Sequence, residues 1–233
     1  MLFHLKHFSL SHSQSTMKVG TDAVLLGAWM PLPDNCSNIL EIGSGCGVIS
    51  LMLAQRTEAE ILGIDIDEQS VKEAKKNAEN SPWKNNVQFL NESVQNFVQK
   101  TTQKFDIIVS NPPFFENSLK SPETSKNISK HNDTLNLETL ISTVDTLLAD
   151  SGRFGVILPL VAAEKIEILA QNYRLYATKK THIYPVPTKN ANRLLMLFER
   201  KKNDCEEDKL TLRDKGYTNE YKQLVKEYLL IEN

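Results

Sequence analysis

From about residue 37 onward, short apolar runs alternate with stretches of helical period. Residues 38–42 (Asn-Ile-Leu-Glu-Ile) predict a strand, a glycine turn follows, and residues 48–55 predict an apolar helix. Further strands are predicted over residues 61–64, 87–90, 105–109 and 154–158. Asp67 is a good N-cap for a helix over 68–80, which carries Val71, Ala74 and Ala78 on one face. Residues 137–148 predict a helix closed by Asp150-Ser151-Gly152, and residues 162–172 predict another. Two late strands are expected over 173–184 and 194–198, with 209–212 a candidate for one more. Residues 219–230 predict an amphipathic helix with Tyr221, Leu224, Val225 and Tyr228 on one face. Alternating helices and buried apolar strands imply an α/β fold with a mostly parallel sheet covered on both faces. Residues 1–35 are read as an N-terminal extension with a cap helix, and residues 36–233 as the main domain.

Sheets of this kind hold ligands beyond the carboxyl ends of their strands. Four segments fall there: residues 43–47, Asp65, Glu92 and residues 111–115. In Glu41-Ile42-Gly43-Ser44-Gly45-Cys46-Gly47-Val48 the glycines permit a tight turn and close approach of a ligand to the backbone. Such a turn also occurs for purely structural reasons. Asp65 adds weight, since an acidic residue about twenty positions on, at the end of the next strand, can take both hydroxyls of a ribose. Its bland alternative, a cap, is weakened because Asp67 already supplies one. The glycine spacing departs from the G-x-G-x-x-G of dinucleotide sites, which argues against a nicotinamide-dependent oxidoreductase. Glu92, followed by Ser93, is either a ligand contact or a helix-start carboxylate.

Ser110-Asn111-Pro112-Pro113-Phe114-Phe115 closes the fourth strand. The prolines stop the strand and stiffen the backbone. An amide, rigid carbonyls and an aromatic ring at a ligand edge suit one chemistry. An exocyclic amine on a flat base or amide is a poor nucleophile, because its lone pair is delocalised. Two acceptors, the Asn111 side-chain carbonyl and the Pro112 backbone carbonyl, would hold its N–H groups and turn the lone pair toward an electrophile. Phe114 would stack on the flat group. No strong base is required, because the alkylated nitrogen is far more acidic.

These motifs carry a family resemblance. Glu41-x-Gly43-x-Gly45-x-Gly47 resembles the first motif of S-adenosylmethionine-dependent methyltransferases, and Asn111-Pro112-Pro113-Phe114 resembles the signature of those that act on planar exocyclic nitrogens. With the upstream string from Met17 to Trp29 and Ser81-Pro82-Trp83, nearly the whole chain resembles the bacterial tRNA1(Val) adenine-37 N6-methyltransferases. The resemblance implies a Rossmann-like class I methyltransferase fold with a seven-stranded sheet. It implies S-adenosylmethionine as cofactor and methylation of adenine N6 in the anticodon loop of valine tRNA, the base being swung out beside Asn111. It implies that Lys18, Gly20, Thr21 and Asp22 line the cofactor's methionine end, that Glu41 faces its amino-acid portion, that Glu92 lies near its adenine, and that Gly43, Ser44, Gly45, Gly47, Asp65, Ile66, Ser93 and Asn111 also bind it. The family often has Tyr where this chain has Phe114, and related guanine-N2 enzymes use Asn-Pro-Pro-Phe. Another exocyclic nitrogen (guanine N2, adenine of DNA or rRNA, a protein glutamine) is therefore the alternative target.

Composition changes this picture little. The 233 residues carry 27 basic and 29 acidic side chains, net charge −2, so an RNA surface must be a local patch. One candidate is Lys179, Lys180, His182, Lys189, Arg193, Arg200, Lys201 and Lys202, bounded by the acids that follow at Asp204 and 206–208. A second is Lys120, Lys126, Lys130 and His131 within the polar stretch 116–136, and Phe115 and Tyr184 could stack on splayed bases. Three cysteines (Cys36, Cys46, Cys205), odd in number and widely spaced, argue against disulfides or zinc and suit a reducing cytoplasm. Cys46 reads as packing. No metal, membrane or obligatory protein partner is expected, and the longest apolar stretch is far shorter than a membrane span.

Overall fold

A computed structural model of the chain describes residues 2–113 and 135–231. Phe114, Phe115 and the basic residues from Lys120 to His131 lie outside the described residues. The chain opens with a small hairpin, β1 (Leu2–His4) and β2 (Ser9–Ser11), and helix α1 (Thr21–Trp29). Then come β3 (Asn38–Ile42), α2 (Val48–Ala54), β4 (Glu60–Asp65), α3 (Glu68–Glu79), β5 (Val87–Asn91), α4 (Val94–Lys100) and β6 (Phe105–Ser110). After the undescribed residues follow α5 (Leu137–Leu147), β7 (Leu148–Leu158), α6 (Leu160–Gln171), β8 (Tyr176–Tyr184), β9 (Arg193–Glu199), β10 (Glu206–Thr211) and α7 (Asn219–Val225). The main sheet has eight strands in the order β10-β8-β9-β7-β6-β3-β4-β5. Only β9 runs antiparallel to its neighbours.

The strands are apolar along their length because both faces are covered. Consecutive residues point to opposite faces, and both members of Ile39/Leu40, Ile107/Ile108 and Leu195/Met196 are fully buried. The first of each pair joins Leu25, Ile49, Val71, Ala74 and Val225 of α1, α2, α3 and α7; the second joins Phe97, Leu140, Val144 and Ile166 of α4, α5 and α6. Periodicity alone therefore predicts the three-layer arrangement, and no helix among the described residues is long and apolar enough to cross a membrane.

The differences from expectation are local. The sheet has eight strands rather than seven: the candidate strand over 209–212 forms as β10, starting three residues earlier at Glu206, and extends the edge beside β8. Helix α4, absent from the sequence reading, spans one and a half to two turns with Ser93 as its cap, its side chain accepting from the Asn96 amide at 3.2 Å. Asp150-Ser151-Gly152 belongs to β7 rather than to a helix end. Helix α7 stops at Val225, not 230, although Tyr221, Val225 and Tyr228 are buried as expected. Gly20 holds the N-cap position of α1, without a side-chain bond.

Candidate active site

The strand order puts four loop ends side by side. Ser110 of β6 is in register with Ile42 of β3, Ile42 with Ile64 of β4, and Asp65 with Asn91 of β5. Asn111, the glycine turn, Asp65 and Glu92 thus follow one another along one edge, over three strand spacings of about 4.8 Å each. Ser110 Oγ donates to the Ile42 carbonyl at 2.8 Å, tying the Asn-Pro-Pro segment to the glycine turn. Gly43, Gly45 and Gly47 have φ of 75°, 51° and 82°, the left-handed region that side chains disfavour. A Cβ at Gly47 would also lie 2.5 Å from the Phe89 ring. The two ligand signals of the sequence are bonded to each other: the Gly45 amide donates to Asp65 Oδ2 at 2.8 Å, while the Asp67 amide donates to Oδ1 at 2.9 Å. Each carboxylate oxygen keeps a lone pair for a further donor. Burial raises the Asp65 pKa despite these bonds. Asp67 caps α3 as expected, accepting from the Ser70 amide at 2.7 Å.

Above this edge lies a cavity of about 530 Å³. Glu41 lies at its floor, 1% exposed, accepting from the Ser50 amide at 2.9 Å and from the Ser50 hydroxyl. Burial pushes its carboxyl up to about 8, with the Ser50 bonds pulling the other way. Cys46 also lines the cavity but is buried, and its thiol is pushed up to about 12, so it is no nucleophile at neutral pH. Asn111 Oδ1 is buried and has no hydrogen-bond partner among the described residues. The Ser44 hydroxyl is buried and unpartnered in the same way. A polar atom left so is costly unless a ligand completes it.

One wall of the cavity comes from the N-terminal segment, through Thr16, Met17 and Lys18. That segment is held by α3. The Glu73 carboxylate accepts from Ser11 Oγ at 2.6 Å, Ser13 N at 2.8 Å, Ser15 N at 2.8 Å and Ser15 Oγ at 2.7 Å, with Ser13 Oγ and Gln14 N farther out. Burial raises the Glu73 pKa, but these donors outweigh it and hold the carboxyl at about 2. Asn77, one turn on, bonds both the Ser11 backbone and the Cys46 carbonyl, and so joins the segment to the glycine turn.

A methyltransferase-domain family model matches residues 33–227. A tRNA1(Val) (adenine(37)-N6)-methyltransferase of Flavobacterium psychrophilum is 39% identical over 232 residues, 98% of this chain and 99% of that protein. The enzyme of the same name from Phocaeicola vulgatus is 40% identical over 98% of this chain and 97% of its own length. The chain belongs to the tRNA1(Val) (adenine(37)-N6)-methyltransferase family. Solved structures of lower identity share the fold. An Agrobacterium tumefaciens protein described as a predicted O-methyltransferase superposes with a TM-score of 0.71 at 18% identity, over 89% of this chain and 96% of that one. A Thermus thermophilus 16S rRNA guanine-N2 methyltransferase, in complex with AdoMet and guanosine, gives 0.61 at 21% identity, over 86% of this chain and 50% of that one.

Within this family member, Lys18, Glu41, Gly43, Ser44, Gly45, Asp65, Ile66, Glu92, Ser93, Asn111 and Pro113 line the cavity. Gly20, Thr21, Asp22, Gly47 and Pro112 are not among its lining residues. Gly47 caps α2, and Asp22 is bonded to Arg193 at 2.8 Å. The Lys18 ammonium is bound to the carbonyls of Ser13 and Ser15. Glu92 is the partner of Lys100 and Asn96 of α4, and the Lys100 bond lowers its pKa. The sequence reading missed Thr16 and Met17, whose place depends on Glu73, and Val94 and Gln95, which come with the unforeseen helix α4. Phe114 and Phe115 lie outside the described residues.

The expected basic stretch does not form one patch. In the register of β8 and β10, Glu206 faces Lys179 and Glu207 faces Lys180. Lys179 pairs with Glu206 at 3.0 Å, and Lys180 with Glu167 at 2.7 Å and Glu207 at 3.4 Å. The acids expected to bound the patch neutralise it. Lys189 is exposed in the β8–β9 turn. No group of His, Cys, Asp and Glu suited to a metal occurs among the described residues.

Proposed function

We propose that the chain transfers a methyl group from S-adenosylmethionine to N6 of adenine 37 in the anticodon loop of a valine tRNA. The observation that carries this reading is Asn111 Oδ1, a buried acceptor of a cavity-lining residue, without a donor among the described residues. An exocyclic NH2 is such a donor. The residues fit the cofactor too. Asp65 keeps lone pairs for two ribose hydroxyls, and Glu92 and Ser93 stand at the next strand end for the adenine. Gly43 and Gly45 have open space where side chains would be, and Glu41 would become an anion when a cationic amino-acid group approaches. When bound, the cofactor supplies an electrophilic methyl on a sulfonium sulfur.

Asn111 and the Pro112 carbonyl hold the two N–H groups, so that the nitrogen lone pair points at the methyl carbon rather than into the ring. The cofactor, held by the glycine turn, Asp65 and Glu41, would supply that methyl carbon and take the leaving electron pair on its sulfur, and the alkylated, now acidic nitrogen would give its extra proton to solvent. Phe114 is assigned the stacking role on the base. Residues 1–35 act as a cap over the cofactor, through the segment that Glu73 holds. Asn111→Ala should lower the rate of methyl transfer at least about a hundredfold, as the loss of one positioned polar partner does, while calorimetric cofactor affinity stays within about twofold. Equal loss of both would refute the assigned role. Nucleoside analysis of tRNA after incubation with labelled cofactor should find N6-methyladenosine; N2-methylguanosine instead would redirect the target.

A further inference from the structure

Strand direction sorts the basic residues that the sequence lists together. β8 and β10 run the same way as β7 and β6, so their C-terminal ends share the edge that holds the cavity. β9 runs the other way, with Leu194 in register with Leu158 at that edge and Glu199 with Arg153 at the opposite one. Lys201 and Lys202 therefore emerge away from the cavity, while Lys189 and the segment after β10 emerge beside it.

The two segments at the cavity edge are built as one surface. The Leu212 amide donates to the Tyr184 carbonyl at 2.8 Å and the Arg213 amide to that of Pro185 at 3.2 Å. The Arg213 guanidinium lies 4.4 Å from the centre of the Tyr217 ring and donates to its hydroxyl at 2.8 Å. Tyr217 in turn stacks on Tyr221 at 4.9 Å, and is 37% exposed. Lys215 stands in a left-handed turn with φ of 54° and is exposed. Lys189 and Lys215 are exposed and have no ion pair among the described residues. Two exposed acids flank this segment, Asp214 beside Lys215 and Glu220 in the first turn of α7.

The edge is thus polar in charge. Asp65, Asp67 and Glu92 line the cavity over β4 and β5. Cations and an aromatic face stand over β8 and β10. The two ends suit different partners: the first repels phosphate, the second attracts it. From β6 to β10 there are four strand spacings, about 19 Å, a distance that a few successive phosphates cover. We propose that Lys189, Arg213, Lys215 and Tyr217 dock the sugar–phosphate backbone of the RNA whose base enters the cavity beside Asn111. This rests on the function proposed above and adds the surface that it lacks.

The test compares two variants of equal charge change, Lys189→Glu with Lys215→Glu and Lys201→Glu with Lys202→Glu, using an unmodified valine tRNA transcript. The first pair should raise the KM for tRNA about tenfold or more. It should also lower the slope of log affinity against log salt by about one to two, the value for two lost phosphate contacts. The second pair should leave KM within about twofold, and both should bind S-adenosylmethionine as the wild type does. Equal losses in the two variants, or none in the first, overturn the proposal. Wild-type protein that binds the cofactor yet leaves tRNA unmethylated overturns the underlying function instead, and the salt dependence of RNA binding then still decides the surface.

Discussion

Glu41 and Glu73 are both nearly buried and both border the same cavity, one at its floor and one behind its wall, yet their pKa values move in opposite directions, to about 8 and about 2. Burial raises both. Glu41 has a single residue, Ser50, to donate to it, whereas Glu73 gathers the hydroxyls and amides of Ser11, Ser13, Gln14 and Ser15. Glu41 combines deeper burial with fewer donors, and Glu73 shallower burial with many, so both differences push the two carboxyls apart. Glu73 is a permanent anion that binds a chain segment. Glu41 is a carboxylic acid at neutral pH, ready to ionise when a cation arrives. The first is built for architecture and the second for a ligand.

The sharpest way to break this contrast is Glu73→Ala. It strands buried amides and hydroxyls and frees the wall formed by Thr16 to Lys18. We expect a loss of about 2–4 kcal/mol in denaturant titrations and a cofactor affinity reduced about tenfold or more. A cap that stays in place, with cofactor affinity unchanged, would show that Glu73 does not hold the wall. Glu41→Gln should not destabilise the cofactor-free fold at pH 7, since it removes the cost of protonating the buried carboxyl. Its cost should appear in cofactor binding.

Stability against pH separates the two carboxyls further. Glu73 is lowered from 4.5, so its contribution is complete above about pH 4.5 and is lost as pH falls toward 2. Glu41 is raised from 4.5, so its neutral burial costs nothing below about pH 4.5, and stability declines as pH rises toward 8. Glu41→Gln should flatten the alkaline slope of the cofactor-free protein between pH 5 and 8 and leave the acid slope alone. Glu73→Gln should do the reverse, and denaturation curves that respond identically would defeat the comparison. The smallest effect is expected at the β8–β10 ion pairs. Lys179→Ala should cost at most about 1 kcal/mol, because that pair is partly exposed and screened.

Most of the site was legible because its signals are local. Glycines at 43, 45 and 47, a carboxylate at the next strand end and prolines after β6 restrict the backbone whatever surrounds them, and the topology lines them up. What escaped were features without a periodic apolar signal. Helix α4 buries only Val94 and Phe97. β10 reads Glu-Glu-Asp-Lys-Leu-Thr, with Leu210 its one buried residue, and pairs through lysines of β8. Lys179 and Lys180 looked like a phosphate surface because their partners on β10 come 27 residues later and meet them only through the register, while Glu167 reaches Lys180 from α6.

Along the chain alone, the three-layer α/β arrangement, the cavity edge and the Asn111 clamp could be worked out, since hydrophobic period and backbone-restricted residues act over a few positions. Folding had to bring Glu73 to Ser11 and Ser15, Asp22 to Arg193 and Lys215 to the cavity's own edge. The charge of a group depends on neighbours in space, and those lie tens to more than a hundred residues away in the chain.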